Sequence, residues 1–384
     1  IHSGDWSSDV CSSDLVNSLD LDTTGSVYLT GLTLSRNFPT SNAWQPSYGS
    51  AAGNVNDAFI SKFSNSGTGL IYSTYLGGDS YDSGYALAID PTGEVIITGD
   101  TKSSDFPTRN AYQASCGGDW DAFLCRFASS GSALIFSTYL GGSGEDRGYG
   151  VTELSPGYSR IALTGKTASS DFPTRSPYQP SLAGSEDAFA AFFYGWGAIS
   201  SSTYLGGTAA ASSGEDIVFD DNENLWLAGS TGSPFFPTVN PYQGAMGGGN
   251  SDAFLACFSP GLIDLTFSTF LGSASADEGK CLTVGSDSVY LGGNTNSNYF
   301  PVKNAYQTSL AGGYNSTDVF LSKFVRPAGW NYDYDGDGTS EIAVFRDYQG
   351  LWAIRDLTRV YFGQTDDQPA PADYDGDGTT DIAV

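Results

Sequence analysis

The chain has one histidine, His2, in 384 residues. A lone imidazole at the N-terminal end rules out Ser-His-Asp and Cys-His nucleophile systems and any metal centre built from histidine. Basic residues are scarce as well. Sixteen Lys and Arg stand against 43 Asp and Glu, for a formal charge of -27. Nucleic-acid grooves require positive potential, so no nucleic-acid partner is expected, and an anionic membrane surface is disfavoured. No run reaches the roughly 18 apolar residues of a membrane span, so no transmembrane segment is expected. No long stretch keeps a 3.6-residue apolar period, which argues against a helical protein. Cys-x-x-Cys is absent. Cys116 and Cys125, or Cys257 and Cys281 in neighbouring repeats, could bridge, with buried free thiols as the alternative.

What the chain has in quantity is 49 Gly, 16 Pro, 23 Tyr and 23 Phe. That composition suits many short strands joined by tight turns. Residues 1–15, IHSGDWSSDVCSSDL, match nothing that follows. They read as translated sequencing adapter rather than a signal peptide and are set aside from fold reasoning. The chain also stops in mid-motif at Val384, so a longer natural protein is expected.

A repeat dominates the rest. Asp-Ala-Phe occurs at Asp57, Asp121, Asp187 and Asp252, and returns as Asp-Val-Phe at Asp318, in steps of 64, 66, 65 and 66 residues. In the second unit Tyr85–Ile89 and Glu94–Thr98 flank an Asp90-Pro-Thr-Gly93 turn. A long loop then precedes Ala122–Phe127 and Leu134–Leu140. Four antiparallel strands of this kind cannot bury both faces alone, so the units must stack sheet on sheet. Small residues such as Ala86 and Ala88 suit the crowded inner strand of a β-propeller. The expected fold is therefore all-β: a β-propeller of four-stranded antiparallel blades, five visible, with more in a longer chain. A linear stack of sandwiches is the competing geometry.

Other elements recur in register. Leu29-Thr-Gly31, Ile97-Thr-Gly99, Leu163-Thr-Gly165, Leu227-Ala-Gly229 and Leu291-Gly-Gly293 close the second strand. Thr and Ser follow at fixed distance, then Phe38-Pro39, Phe106-Pro107, Phe172-Pro173, Phe236-Pro237 and Phe300-Pro301. The ring should plug the gap beneath the loop while Pro stiffens it. A Ser-Thr-aromatic-Leu-Gly fourth strand ends units one to four and is missing from the fifth. Taken together, these motifs over residues 16–325 resemble the SBBP-type β-propeller repeats of bacterial secreted and surface proteins. The resemblance implies blades without assigned chemistry. The expected divisions are 16–80, 81–145, 146–211, 212–277 and 278–328 for five blades and 329–384 for a further module.

That last stretch contains Asp-Tyr-Asp-Gly-Asp-Gly-Thr-Ser-Glu at 333–341 and Asp-Tyr-Asp-Gly-Asp-Gly-Thr-Thr-Asp at 373–381. Carboxylates at loop positions one, three, five and nine, with a carbonyl at seven, gather oxygens around one hard cation. Oxygen-only donors in a flexible loop favour Ca²⁺. The ligands would be Asp333, Asp335, Asp337, Thr339 and Glu341, and Asp373, Asp375, Asp377, Thr379 and Asp381. An EF-hand is excluded, because Val344 and Val384 stand where its glutamate belongs and a strand follows each loop. The pattern resembles the calcium-binding FG-GAP/VCBS-type repeats. A merely solvated acidic turn is the bland alternative, and mutual repulsion of the carboxylates argues against it.

Without histidine, the chemistry left open is a glycosidase-type carboxylate pair. Asp105, Asp171, Glu145, Asp146, Glu215 and Asp216 are candidates, but their positions recur between units, and a residue copied between repeats is more often architecture. A chain without catalysis is therefore expected. Asp57, Asp121, Asp187, Asp252 and Asp318 are read as caps on turn N–H groups. Trp120 and Trp226 are candidates for stacking on sugar rings, with blade packing the plainer account. The first functional reading is a calcium-stabilised structural or adhesive scaffold, secreted or at the bacterial cell surface. Its partners would be other copies of itself, surface or matrix proteins, or polysaccharide. The alternative is a carbohydrate-binding propeller of an exported polysaccharide-active system.

Overall fold

The computed structural model describes residues 14–51, 55–154, 160–285, 287–311 and 316–325, together with the backbone of three short strands between 343 and 361. The chain divides into a large unit, residues 1–284 and 290–322, and a smaller one, residues 285–289 and 323–384.

Repeating antiparallel sheets make up the large unit, each joined in the order of the sequence. The first contains β1 (Asp14–Leu21), β2 (Val27–Thr33), β3 (Asp57–Phe63) and β4 (Leu70–Leu76). The second contains β5 (Asp82–Ile89), β6 (Val95–Thr101), β7 (Asp121–Phe127) and β8 (Leu134–Leu140). Next come β9 (Asp146–Leu154), β10 (Arg160–Thr167), β11 (Asp187–Tyr194) and β12 (Ile199–Leu205). The fourth sheet is β13 (Ser212–Phe219), β14 (Leu225–Thr231), β15 (Asp252–Phe258) and β16 (Leu265–Leu271). The fifth has three described strands, β17 (Asp277–Val284), β18 (Ser288–Thr295) and β19 (Asp318–Val325). β1 begins at Asp14, inside the segment that the sequence reading set aside.

Local chemistry explains the turns. Asp90 Oδ1 accepts the N–H groups of Thr92 (2.8 Å) and Glu94 (2.9 Å), and Gly93 takes a φ of +83°. Asp22 and Asp220 staple the equivalent turns. One residue bulges from the ladder between the first two strands, as at Tyr85 between Gly84 and Ala86. Such a bulge sharpens the local twist.

The core lies between the sheets rather than within them. Tyr28, Ala58, Ile60 and Leu76 of the first sheet bury Leu87, Phe123 and Phe127 of the second. Ile96, Leu124 and Leu140 of the second meet Ile161, Leu163 and Phe189 of the third. The strands β1, β5, β9, β13 and β17 abut one another in that order. Close approach requires glycine there. A Cβ on Gly84, Gly148 or Gly214 would lie 2.3, 2.2 and 2.2 Å from the hydroxyl oxygen of Thr30, Thr98 and Thr164 on the preceding sheet. Val16 holds that register in β1, where no described sheet precedes it.

The smaller unit contains an antiparallel sheet of β20 (Ala343–Arg346), β21 (Leu351–Ile354) and β22 (Thr358–Tyr361). Its register pairs Ala343 with Ile354 and Leu351 with Tyr361.

Candidate functional site

The repeated polar residues build the loops. Asp121 Oδ2 accepts from Gly117 N (2.8 Å) and Gln113 Nε2 (3.0 Å), and its Oδ1 accepts from Gly118 N (3.1 Å). Asp187 repeats this with Ala183, Gly184 and Gln179, and Asp252 with Gly247 and Gln243. Asp57 caps Gly49 N and Asp318 caps Ala311 N, both at 2.7 Å. These aspartates cap turns, as their recurrence implied.

A second series of aspartates opens β1, β5, β9 and β17, with Ser212 in that place in β13. Asp82 accepts hydroxyl hydrogen bonds from Thr101 and Ser103 and the N–H of Gly78. Asp146 and Asp277 do the same with Ser169 and Gly142, and with Thr295, Ser297 and Ser273 N. Burial pushes the Asp82 carboxyl up to about 8 and those of Asp57, Asp146 and Asp252 up to about 6.

The carboxylates weighed as a glycosidase pair are already committed elsewhere. Asp105 accepts from Asp79 N at 2.8 Å, and Asp171 from the Ser143 N–H and hydroxyl. Glu145 lies 3.7 Å from Arg147, Glu215 lies 3.4 Å from Lys280, and Asp216 accepts Leu282 N at 2.8 Å. The Phe-Pro rings act as plugs, with Phe106 tilted against Phe123 at 4.7 Å beneath its loop. All four described cysteines are free, as in the free-thiol alternative, and neither possible bridge forms. Cys116 Sγ bonds the Gly118 carbonyl and Cys125 Sγ faces the Ser137 hydroxyl.

Both tryptophans singled out from sequence are engaged. Trp226 is buried and donates its Nε1–H to Asp220 at 3.0 Å. Trp120 is half-buried between Arg147 (4.7 Å from the ring centre), Lys102 (5.7 Å) and Tyr81 (6.1 Å).

One exposed aromatic pair lies on the hairpin between β11 and β12, apart from the other exposed rings of Phe235, Tyr242, Tyr299 and Tyr306. Tyr194 N donates to Ala198 O and Gly197 N to Tyr194 O, both within 2.9 Å, and Gly197 has a φ of +93°. The second hairpin folds alike, with Ala128 N to Ala133 O and Gly131 N to Ala128 O. At the matching positions the first hairpin carries Ser64 and Ser66, and the second Ala128 and Ser130. Among the described hairpins, only the third carries rings at these positions. Tyr194 and Trp196 stack with centroids 4.8 Å apart and planes 2° from parallel, and Trp196 is 62% exposed. The signal was legible in the sequence as Tyr-Gly-Trp-Gly where its sister turn reads Ala-Ser-Ser-Gly.

The proposed calcium ligands, Asp333, Asp335, Asp337, Thr339, Glu341, Asp373, Asp375, Asp377, Thr379 and Asp381, lie outside the described residues. Among the described residues, no group of three or more His, Cys, Asp or Glu could hold a metal ion. No described helix is long and apolar enough to cross a membrane.

Residues 71–107 match the family model of the SBBP β-propeller repeat. No curated protein matches the chain in sequence. Among solved structures, one similar in part is a presumed gluconolactonase, at 10% identity and a TM-score of 0.34, covering 81% of this chain and 75% of that one. Another is a polysaccharide lyase of family 25, an ulvan lyase bound to a glucuronate–sulfated rhamnose oligosaccharide. It matches at 8% identity and a TM-score of 0.34, covering 72% of this chain and 65% of that one. The expectation of a chain without catalysis is corrected by these two structures, since both carry enzyme names. Those activities belong to those proteins, and at such TM-scores neither passes to this chain.

Proposed function

We propose that this chain is a carbohydrate-binding array of β-propeller blades, working outside the cell, with Trp196 and Tyr194 as its sugar platform. On sequence alone a scaffold ranks first and carbohydrate binding second. The exposed pair of parallel, stacked rings favours the second. Side chains shared by all units hold the loops together, whereas this pair occurs in one unit alone. An indole face offers a flat apolar surface to the axial C–H groups of a pyranose, and Tyr194 behind it holds the ring in place. A net charge of -27 repels polyanions, so the ligand class is a neutral polysaccharide. The test is retardation of the whole chain in native gels containing a neutral β-glucan, xylan or galactomannan. The reading predicts that at least one retards the wild type and that Trp196→Ala abolishes the retardation. No retardation by any neutral polymer would refute it.

Calcium belongs to the same proposal. The 333–341 and 373–381 loops supply only oxygen donors, and that donor set fits a hard cation. When bound, Ca²⁺ would neutralise clustered carboxylates. Extracellular modules work at calcium levels of about 10⁻⁴–10⁻³ M, which agrees with function outside the cell.

A further inference from the structure

We propose that three of the four junctions between neighbouring sheets are proton-dependent clasps, each closed by two buried aspartates, and that the junction of the third and fourth sheets is not. These clasps are independent of the sugar platform. Asp57 at the start of β3 meets Asp82 at the start of β5, Asp121 meets Asp146, and Asp252 meets Asp277, and all six side chains are fully buried. A glycine is lodged between the members of each pair. A Cβ on Gly77 would lie 2.6 Å from Asp82 Oδ2 and 2.9 Å from Asp57 Cγ. At Gly141 the values are 2.8 Å from Asp146 Oδ2 and 2.6 Å from Asp121 Cγ. At Gly272 they are 2.8 Å from Asp277 Oδ2 and 2.5 Å from Asp252 Cγ. Between the third and fourth sheets Gly206 meets Asp187 alone. Ser212 stands where the second aspartate would be, and its hydroxyl pairs with that of Thr231 at 2.9 Å.

Each paired junction also contains one carboxylate oxygen buried without a hydrogen bond: Asp57 Oδ1, Asp146 Oδ1 and Asp252 Oδ1. The glycine Cβ positions lie 3.0 Å from Asp57 Oδ1 and 2.7 Å from Asp252 Oδ1, so these two oxygens face the gap shared with the second carboxyl. Both oxygens of Asp187, by contrast, accept N–H groups, from Ala183 and Gly184. Among the described residues, no Lys or Arg lies within 4.0 Å of any of the six paired carboxyls. The nearby charges are negative. Asp105 faces Asp57 with Asp79 beside it, and Asp171 holds the matching loop position in the next sheet. Tyr48, Tyr75, Cys125 and Tyr139 surround the first pair, and Cys116 and Tyr204 the second. Burial raises every one of these above its ordinary value, so they stay neutral in the range where the aspartates titrate. Around Asp252 and Asp277 no other charged group acts among the described residues.

Two carboxylates this close in a dry interior repel, so burial and the partner's charge both oppose the second ionisation. A proton held by the pair removes that repulsion and gives the unpartnered oxygen its hydrogen. Folded values lie above the ordinary 3.8, at about 8 for Asp82 and about 6 for Asp146 and Asp252. The clasp is therefore full in acid and is lost as pH rises through those values. The third and fourth sheets stay joined while the other junctions slacken.

The experiment follows amide hydrogen exchange of the full chain from about pH 5 to about pH 9, with rates normalised to those of unstructured amides. Its reporters are the N–H groups that cross each junction. Asp82 donates to Asn56 O, Asp146 to Trp120 O and Asp277 to Ser251 O, all at 2.8 Å, and Ser212 to Glu186 O at 2.9 Å. Protection of the first three should fall at least tenfold across that range, while that of Ser212 changes less than about threefold. The comparison is made within the wild type and needs no variant. Ser212→Asp should then make the junction of the third and fourth sheets respond as the others do, and Asp146→Asn should make its own junction indifferent to pH. Equal loss at all four reporters, or no loss at the three, would overturn the inference. So would recovery of protection in alkali on adding sodium or calcium, which would assign the gap to a metal ion instead of a proton.

Discussion

Replacing Trp196 by alanine removes the proposed platform with little else at stake. The residue is 62% exposed, and its one close ring partner is Tyr194. For a side chain of about 250 Å², that leaves about 150 Å² open to solvent. The face turned away from Tyr194 accounts for about half of this, and a pyranose covering it would remove about 75 Å² of apolar surface from water. At about 25 cal/mol per Å² the contact contributes about 2 kcal/mol, or about 25-fold in Kd. Affinity electrophoresis gives the screen, and titration calorimetry with the matching oligosaccharide gives the number. Trp196→Phe keeps part of the surface and should lose less than tenfold. Stability should move by no more than about 0.5 kcal/mol, because the position is a surface hairpin. Undiminished polysaccharide affinity in Trp196→Ala, with an unchanged melt, would refute the reasoning.

Four further outcomes are expected. Asp82 has a folded value of about 8 against an ordinary 3.8 because burial disfavours its ionised form. The native state therefore binds more protons between those values. The resulting stabilisation is full below pH about 4 and is lost as pH rises through about 8. Thermal melts from pH 5 to 9 should fall with pH, and Asp82→Asn should flatten that slope. In Gly148→Ala the new Cβ meets Thr98 Oγ1 at 2.2 Å, and urea denaturation should show a loss of about 1–3 kcal/mol. Arg126 is buried against Asp90 and Glu94, both at 2.7 Å, and Glu153 at 3.3 Å. Arg126→Met should cost about 3–5 kcal/mol by stranding those carboxylates, again read from urea curves. Calcium at a hundred times its Kd should stabilise whatever folds around the 333–341 loop by about 2.7 kcal/mol in calorimetry. Asp335→Ala with Asp337→Ala should remove that shift.

Much of this architecture is legible in the chain because it is written several times. The Asp-x-Phe step locates the third strand, and the Phe-Pro rings locate the plugs. The Ser-Thr-aromatic-Leu-Gly run locates the outer strand and shows where it is missing. Contacts between sheets are harder to read. Gly84, Gly148 and Gly214 look like ordinary strand glycines until Thr30, Thr98 and Thr164 are seen facing them. The candidate site escaped for the opposite reason. Tryptophan as a residue type singles out Trp120 and Trp226 no less than Trp196. Trp120 is enclosed by Arg147 of the next sheet and by Lys102 of the loop after β6, and Trp226 is held by Asp220 of the turn just before its own strand. Trp196 was identifiable only by comparing turn with turn, since its meaning lies in its departure from Ser66 and Ser130.

The most direct test of the account is an NMR titration of the indole N–H signals with the oligosaccharide of whichever neutral polymer retards the chain. Each of the seven tryptophans would be assigned by single substitution. The account predicts that the Trp196 signal shifts in a saturable way while those of Trp226 and Trp120 stay in place. A saturable shift at Trp120 with Trp196 unmoved would contradict it.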